Sequence, residues 1–247
     1  MTQVTQFMRV DLTEVEPGVI HGRADRAEHL TKPDGAMRVG PLLTMLDYAG
    51  GLCGGLASLP DGWVVSTNLA ARFVAPARHG PFRIEASVLR VGRNNVVTAV
   101  ALYDEGADDA LVASGVLTSA VLVPENGPPQ WERPLRLVNL TPSGPQPDLT
   151  EWLRLRAIDG GVEIPLDDRF RNPWGILHGG VVATIVDLAA GGNTTDVVLH
   201  FLAPNRIGPV QAIATPVGER SDGTVQRVEV RDIGADRVTA VAIVTSL

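Results

Sequence analysis

Cysteine is nearly absent from this chain. Cys53 is the only one in 247 residues, so no intrachain disulfide and no cysteine-based zinc site can form. A reducing cytoplasm is therefore the expected compartment. Aromatic residues are scarce at 4 %, too few for a row of base-stacking platforms. Positive charge is in the minority, with 21 Lys and Arg against 28 Asp and Glu and a formal net charge of −7. A general nucleic-acid binder needs a basic face to displace counterions, so that class is not expected, although a local basic pocket for a phosphorylated ligand stays open. No apolar run approaches the roughly 18 residues of a membrane span. The opening MTQVTQFMRVDL has no basic segment followed by an apolar one, so neither an anchor nor a leader is expected. There is no Walker loop, no GxGxxG after a strand and no GxSxG elbow. His21, His29, His79 and His200 show no metal-ligand spacing.

What is present is a globular composition, 45 % hydrophobic and 20 % charged, and a repeat. Placing Gly40 over Gly180, an offset of 140, matches Thr44 with Thr184, Asp47 with Asp187, Ala49 with Ala189 and Gly51 with Gly191. Further along the offset falls to 128, and FVAPARHGP from Phe73 lies over FLAPNRIGP from Phe201. A shared order of motifs argues for duplication, with about 12 residues lost from the second copy after its helix. Between the copies, residues 124–147 hold seven of the 18 prolines. Proline fixes φ and lacks an N–H, so this stretch is neither helix interior nor central strand and reads as a linker. The organisation expected is an N-terminal domain over 1–123, a linker over 124–147 and a C-terminal domain over 148–247.

Each copy has the same element order: a short extended piece (GVIHGRAD, GVEIPLDD), a helix, then three or four strands. The helices are expected from Pro41 to about Leu59 and from Val181 to about Ala190. The segments FRIEASVLRVG, NNVVTAVALYD and ALVASGVLTSAVLV alternate or carry β-branched residues, as do their later counterparts. One long helix against an antiparallel sheet is an α+β layout.

Asp47 and Asp187 interrupt apolar helical runs, where an unpartnered carboxylate would be costly. Gly180 and Asp187 are seven residues apart, so they share a helix face about 10 Å apart along the axis. The helix start offers free N–H groups and the positive end of the dipole, and glycines there let a ligand oxygen approach the backbone. That is a plausible oxyanion hole. Reacting atoms must lie about 3–3.5 Å apart, so a carboxylate two turns away on the same helix cannot serve it. Two helices packed antiparallel solve this, each start facing the partner's aspartate.

The pattern N-P-W-G-I-L-H-G-G-x6-D, from Asn172 through His178, Gly179 and Gly180 to Asp187, resembles the hotdog-fold acyl-CoA thioesterases of the phenylacetyl-CoA thioesterase (PaaI-like) type, with 4-hydroxybenzoyl-CoA thioesterase relatives. VSTNLAARFVAPARHG resembles the strand that follows the helix in that family. Both halves look like hotdog domains, so the resemblance implies a tandem double hotdog. It implies further that Asp47 is general base or nucleophile and that Ser66, ten residues before Pro76, helps hold the attacking water. The Gly179 and Gly180 amides would polarise the thioester carbonyl, while Asn172 lines the pocket and His178 braces the helix start. Met45, Tyr48, Thr67 and Trp174 are expected to contact substrate. The equivalent second site would join Asp187 and Thr194 with Lys32, Arg38, Val39 and Gly40. It departs from the pattern at Lys32, Arg38 and Val39, so one working site per chain is expected. The implied substrate is an acyl-CoA, cleaved to free acid and coenzyme A with no metal or other cofactor, and the implied assembly is a homodimer of double-hotdog chains. Two other readings stand beside this one. One is a non-catalytic acyl-CoA or acyl-ligand binder. The other is a hotdog enoyl-CoA hydratase or dehydratase, which would need an Asp/His pair that the sequence does not make evident at the first site.

Overall fold

The computed structural model describes residues 3–138 and 145–247. Part of the linker, 139–144, and the first two residues lie outside the described residues. In the first half, a short helix α1 (Gln3–Met8) leads into β1 (Val10–Glu16) and β2 (Val19–Ala24). The long helix α2 (Val39–Ala57) comes next, then β3 (Trp63–Phe73), β4 (Phe82–Val91), β5 (Asn95–Asp104) and β6 (Ala110–Leu122). The linker adds β7 (Arg136–Leu137). The second half has a one-turn helix α3 (Leu149–Trp152), β8 (Arg156–Ile158), β9 (Gly161–Ile164) and the helix α4 (Gly179–Ala189). It closes with β10 (Thr194–Phe201), β11 (Val210–Arg220), β12 (Gly223–Asp232) and β13 (Arg237–Ser246).

Among the described residues, all 13 strands form one antiparallel sheet, ordered β7-β1-β2-β4-β5-β6-β3-β10-β13-β12-β11-β9-β8. The order β2-β4-β5-β6-β3 is mirrored by β9-β11-β12-β13-β10, and the halves meet where Leu69 of β3 pairs with Leu199 of β10. Smaller details repeat at the same offset of 140, such as the bridges Thr31↔Met37 and Arg171↔Leu177. This is a double hotdog. Each sheet half wraps a helix, and alternation does the sorting: in β5, Val96, Thr98, Val100 and Leu102 turn inward. Helix α2 is buried on nearly every side, which is why its sequence carries no polar stripe.

The helices pack on one another at their starts. Thr44 Oγ1 donates to the Gly180 carbonyl at 2.8 Å and lies 2.9 Å from Thr184 Oγ1. A Cβ on Gly180 would stand 2.7 Å from the Thr44 Cα, and one on Gly40 would stand 3.0 Å from the Thr184 Cα. Only glycine lets the two backbones approach this closely.

One expectation needs adjustment. The 12 residues missing from the second copy are not lost after its helix alone: α4 has 11 residues against 19 in α2, so most of the loss shortens the helix itself. The linker also does more than connect the halves. The linker residue Arg133 grips the buried Glu14 carboxylate through Nε at 3.0 Å and through Nη2, and reaches the Leu56 carbonyl at the end of α2. The guanidinium holds Glu14 below the usual carboxylate range despite its burial. Strand β7 then pairs with the edge strand β1, a position open to a proline-rich segment. Among the described residues, no helix is long and apolar enough to cross a membrane.

The close helix approach predicts that Gly180→Ala costs about 1–3 kcal/mol through overpacking against backbone, measured by urea denaturation. Wild-type stability in that variant would show that the crossing has slack.

Candidate active site

A cavity of about 380 Å³ opens where the two halves meet. Its chemical end is built from both halves. Asp47 on α2 is 4 % exposed, and Ser66 on β3 donates to its Oδ1 at 2.7 Å. From the other half, His178 Nδ1 lies 3.6 Å from Asp47 Oδ2. A Cβ on Gly179 would fall 2.9 Å from that same oxygen, so the helix start and the carboxylate are in direct apposition. Asn172 and Gly179 also line the cavity.

The local folding explains each placement. His178 is the N-cap of α4, and its Nδ1 accepts from the Gly180 amide at 3.0 Å. A ring nitrogen that accepts holds no proton, so the proton of the neutral ring sits on Nε2. Burial lowers the His178 pKa, with the Asp47 charge opposing. Asn172 closes its own turn, its Oδ1 accepting from the Trp174 amide at 2.9 Å, which leaves the Nδ2 donors for the cavity. On β3 the ladder to β6 slips between Ser66 and Asn68. The bulge lies at the end of a continuous run, residues 63–67, that lines the cavity. The Thr67 hydroxyl is spent on the Thr118 carbonyl at 3.0 Å.

Burial raises the Asp47 pKa. His178, Ser66 and Gly180 oppose that shift without cancelling it. A carboxylate held in this way is a stronger base than one in water.

Three expectations are corrected. Met45 does not reach the cavity. It is fully buried in the core, because a residue two positions from Asp47 points to the opposite helix face. Gly180 does not offer a free amide, since its N–H is engaged by His178, and Gly180 does not line the cavity. Of the two glycines, Gly179 is the one that lines the cavity. Third, an Asp/His pair does exist here, Asp47 with His178, though 130 residues of sequence hid it.

Tyr48 and Trp174 do line the cavity. Burial pushes the Tyr48 hydroxyl up to about 12. Trp174 crosses between the halves, its Nε1 donating to the Val64 carbonyl at 3.1 Å.

The other helix start is closed. Asp187 is 1 % exposed, accepting from the Gly40 amide at 2.9 Å and from the Thr194 amide at 3.4 Å. Lys32 and Arg38 line an open hollow nearby, but Arg38 pairs with Asp148 at 3.2 Å, Lys32 donates to Asn193, and Asp187 does not line that hollow.

Sequence reasoning missed several cavity residues: Trp63, Trp131 and Leu137 at one end and Arg206 at the other. Arg206 has a legible signal in the repeat. Its counterpart Arg78 pairs with Asp34 at 3.0 Å, whereas the counterpart of Asp34 is Trp174. Among the described residues, no carboxylate pairs with the Arg206 guanidinium. Its loop is fixed by the fully buried Asp232, which accepts from the Arg206, Ile207 and Gly208 amides at 2.7–3.0 Å. Asp104 does the same for Arg78, His79 and Gly80. Burial alone would raise both carboxyls, but the converging amides bring them below the usual range. Among the described residues, no group of three or more His, Cys, Asp or Glu side chains could hold a metal ion.

Comparisons with known proteins agree with this architecture. A family model described as the thioesterase superfamily matches residues 39–110, from α2 to the start of β6. A candidate esterase of Saccharolobus solfataricus is 27 % identical over 114 residues, 46 % of this chain and 75 % of the relative. Among solved structures, an acyl-ACP thioesterase from Bacteroides thetaiotaomicron aligns with a TM-score of 0.63 at 14 % identity, covering 92 % of this chain and 97 % of its own. The 12:0-ACP thioesterase of Umbellularia californica aligns with a TM-score of 0.65 at 9 % identity, covering 92 % and 93 %. At such identities the likeness to the solved structures is one of fold.

The closed site generates a pH prediction. A raised pKa means that the folded state binds the Asp187 proton more tightly than the unfolded state does. The stability this contributes is complete below the ordinary value of 3.8 and is lost as pH rises through the folded-state value. Burial is its main cause, with the Thr194 and Gly40 hydrogen bonds opposing. Asp187→Asn keeps an oxygen for the Gly40 amide and removes the titration. Its stability relative to wild type should therefore grow from acidic to neutral pH in urea titrations. A difference independent of pH would contradict the assignment.

Proposed function

We propose that this double hotdog, a thioester hydrolase by fold and family segment, cleaves acyl-CoA at a single composite site between its halves. The observation that carries the reading is the apposition of the buried Asp47 carboxylate and the Gly179 helix start across one cavity. In this reading the thioester carbonyl oxygen accepts from the Gly179 amide, at the positive end of α4. Asp47 takes a proton from a water steered by the Ser66 hydroxyl, and that water adds to the carbonyl carbon. The C–S bond then breaks, and Asp47 returns the proton to the departing thiolate. The Asn172 side-chain amide supplies a further donor at the pocket wall. His178 positions the helix start and need not move a proton.

Arg206 supports a phosphate-bearing carrier. It stands at the cavity without a carboxylate partner among the described residues, on a loop that Asp232 holds rigid. A guanidinium there suits a phosphate of coenzyme A. The lone thiol, buried at Cys53 and pushed up to about 12, fits a reducing cytoplasm.

A second reading draws on one specific observation. The Asp47–His178 pair at 3.6 Å resembles what an enoyl-CoA hydratase would use. Against it, the facing ring nitrogen is already occupied by the Gly180 amide. Loss of enoyl-CoA absorbance without thiol release would favour hydration over hydrolysis.

Two outcomes are expected in thiol-release assays. Asp47→Asn lowers kcat/KM by about 10³-fold, in the range for loss of a general base, while Asp187→Asn hydrolyses acyl-CoA as wild type does. Full activity in Asp47→Asn would remove the proposed base. Arg206→Ala raises KM about tenfold for acyl-CoA, the scale of one lost charged hydrogen bond, but leaves N-acetylcysteamine thioesters, which lack phosphate, unchanged. Equal losses on both substrates would deny Arg206 a phosphate role. A wild-type preference for acyl carrier protein over coenzyme A would reassign the carrier.

A further inference from the structure

The cavity has a direction. From Asp47 its α2 wall continues through Tyr48 and Gly51 to Leu52, five residues or about 7–8 Å along the axis. From Ser66 its β3 wall runs back to Trp63, three residues or about 10 Å. The two walls lead away from the Asp47 carboxylate to the same place. There Trp63 pairs with Leu122 of β6, and its ring lies 6.4 Å from the ring of Trp131 in the linker. Leu137 of β7 lines the same end. Aromatic and aliphatic side chains dominate that end, where the Trp131 Nε1 is buried without a hydrogen-bond partner among the described residues, whereas Asn172, Asn205 and Arg206 line the cavity elsewhere.

The repeat shows where this compartment comes from. With the offset of 140 the residue matching Leu52 is Gly192, already past the end of α4. With the offset of 128, Trp63, Val64 and Val65 fall on Gly191, Gly192 and Asn193, outside β10. The end of α2 and the start of β3 are thus the part of the first half that the second half lacks. The cap on that part comes from the linker, which no repeat supplies. It is clamped in place by Arg133, through Glu14 and the carbonyl of Leu56 at the end of α2.

We propose that the linker between the halves is the end wall of an acyl-chain compartment, with Trp131 as the residue that sets chain length. The acyl group is an unbranched alkyl chain, extended between α2 and β3 from the thioester carbon to the Trp131 ring. This deepens the hydrolase reading and rests on it for the position of the carbonyl. It accounts for a largely apolar wall that reaches an anchored linker.

Two substitutions test the wall from opposite sides. Trp131→Ala removes the end of the compartment. Gly51→Leu fills its middle: a Cβ there has nothing within 4 Å, so the new side chain meets cavity and not backbone. The measurement is kcat/KM for hexanoyl-, decanoyl- and tetradecanoyl-CoA in both variants and wild type. Calorimetric binding of the matching free acids runs in parallel. Trp131→Ala should raise the tetradecanoyl-to-hexanoyl ratio about tenfold or more, and Gly51→Leu should lower it by a similar factor, as differences of a few methylenes in an apolar pocket do. Ratios within about twofold of wild type in folded variants would overturn the proposal, on the same scale of discrimination. If Trp131→Ala does not fold, Gly51→Leu decides alone. If wild type cleaves no thioester, the hydrolase reading fails, and the chain-length profile of acid binding in the variants then decides the compartment by itself.

Discussion

The place where α2 and α4 touch governs the rest of the molecule. Gly40 faces Thr184 and Gly180 faces Thr44, with the two threonine hydroxyls 2.9 Å apart. Because the backbones come together at these glycines, each helix start meets the other helix one turn or two further on. That distance brings a carboxylate from one half against the N–H groups of the other. Neither half supplies both components of the same pairing. The sheet follows from the same contact: with the helices side by side, β3 and β10 become neighbours and two sheets fuse into one.

The two ends of this crossing began alike and now differ. Asp47 and Asp187 hold equivalent positions, both are buried, and burial raises both pKa values. Their partners separate them. Asp187 accepts from the Gly40 and Thr194 amides, which offset part of the cost of burying it. Asp47 has a serine hydroxyl, a capping histidine and open space beside it. Length matters as much as chemistry. The eight extra residues of α2 and the earlier start of β3 give the Asp47 end the walls that the Asp187 end has lost.

Much of this was legible in the residues. The two offsets, 140 and 128, locate both helices and the strands after them, because alignment of motifs reports topology directly. The helix bounds came within about two residues, the usual uncertainty of helix ends. Asp47, Ser66, Asn172, His178 and Gly179 meet at one cavity because each occupies a fixed place relative to a glycine-opened helix. What stayed hidden depends on tertiary geometry. The bulge at Thr67 is set by the pairing of β3 with β6. The position of Trp131 at the cavity depends on where the linker is pinned, and no local pattern encodes the Arg133–Glu14 pair across 119 residues. Met45 was misplaced for a simpler reason, since helical periodicity already turns it away from the face of Asp47. Arg206 could have been found by asking which repeated ion pair had lost one member.

The linker that joins the halves has a consequence beyond its position. A site shared between separate subunits exists only while they stay associated, and it disappears on dilution. Here the two contributors belong to one polypeptide, so their encounter is intramolecular and their local concentration is set by the tether. A cavity lined by both halves therefore persists in a single isolated molecule, however few copies a cell contains.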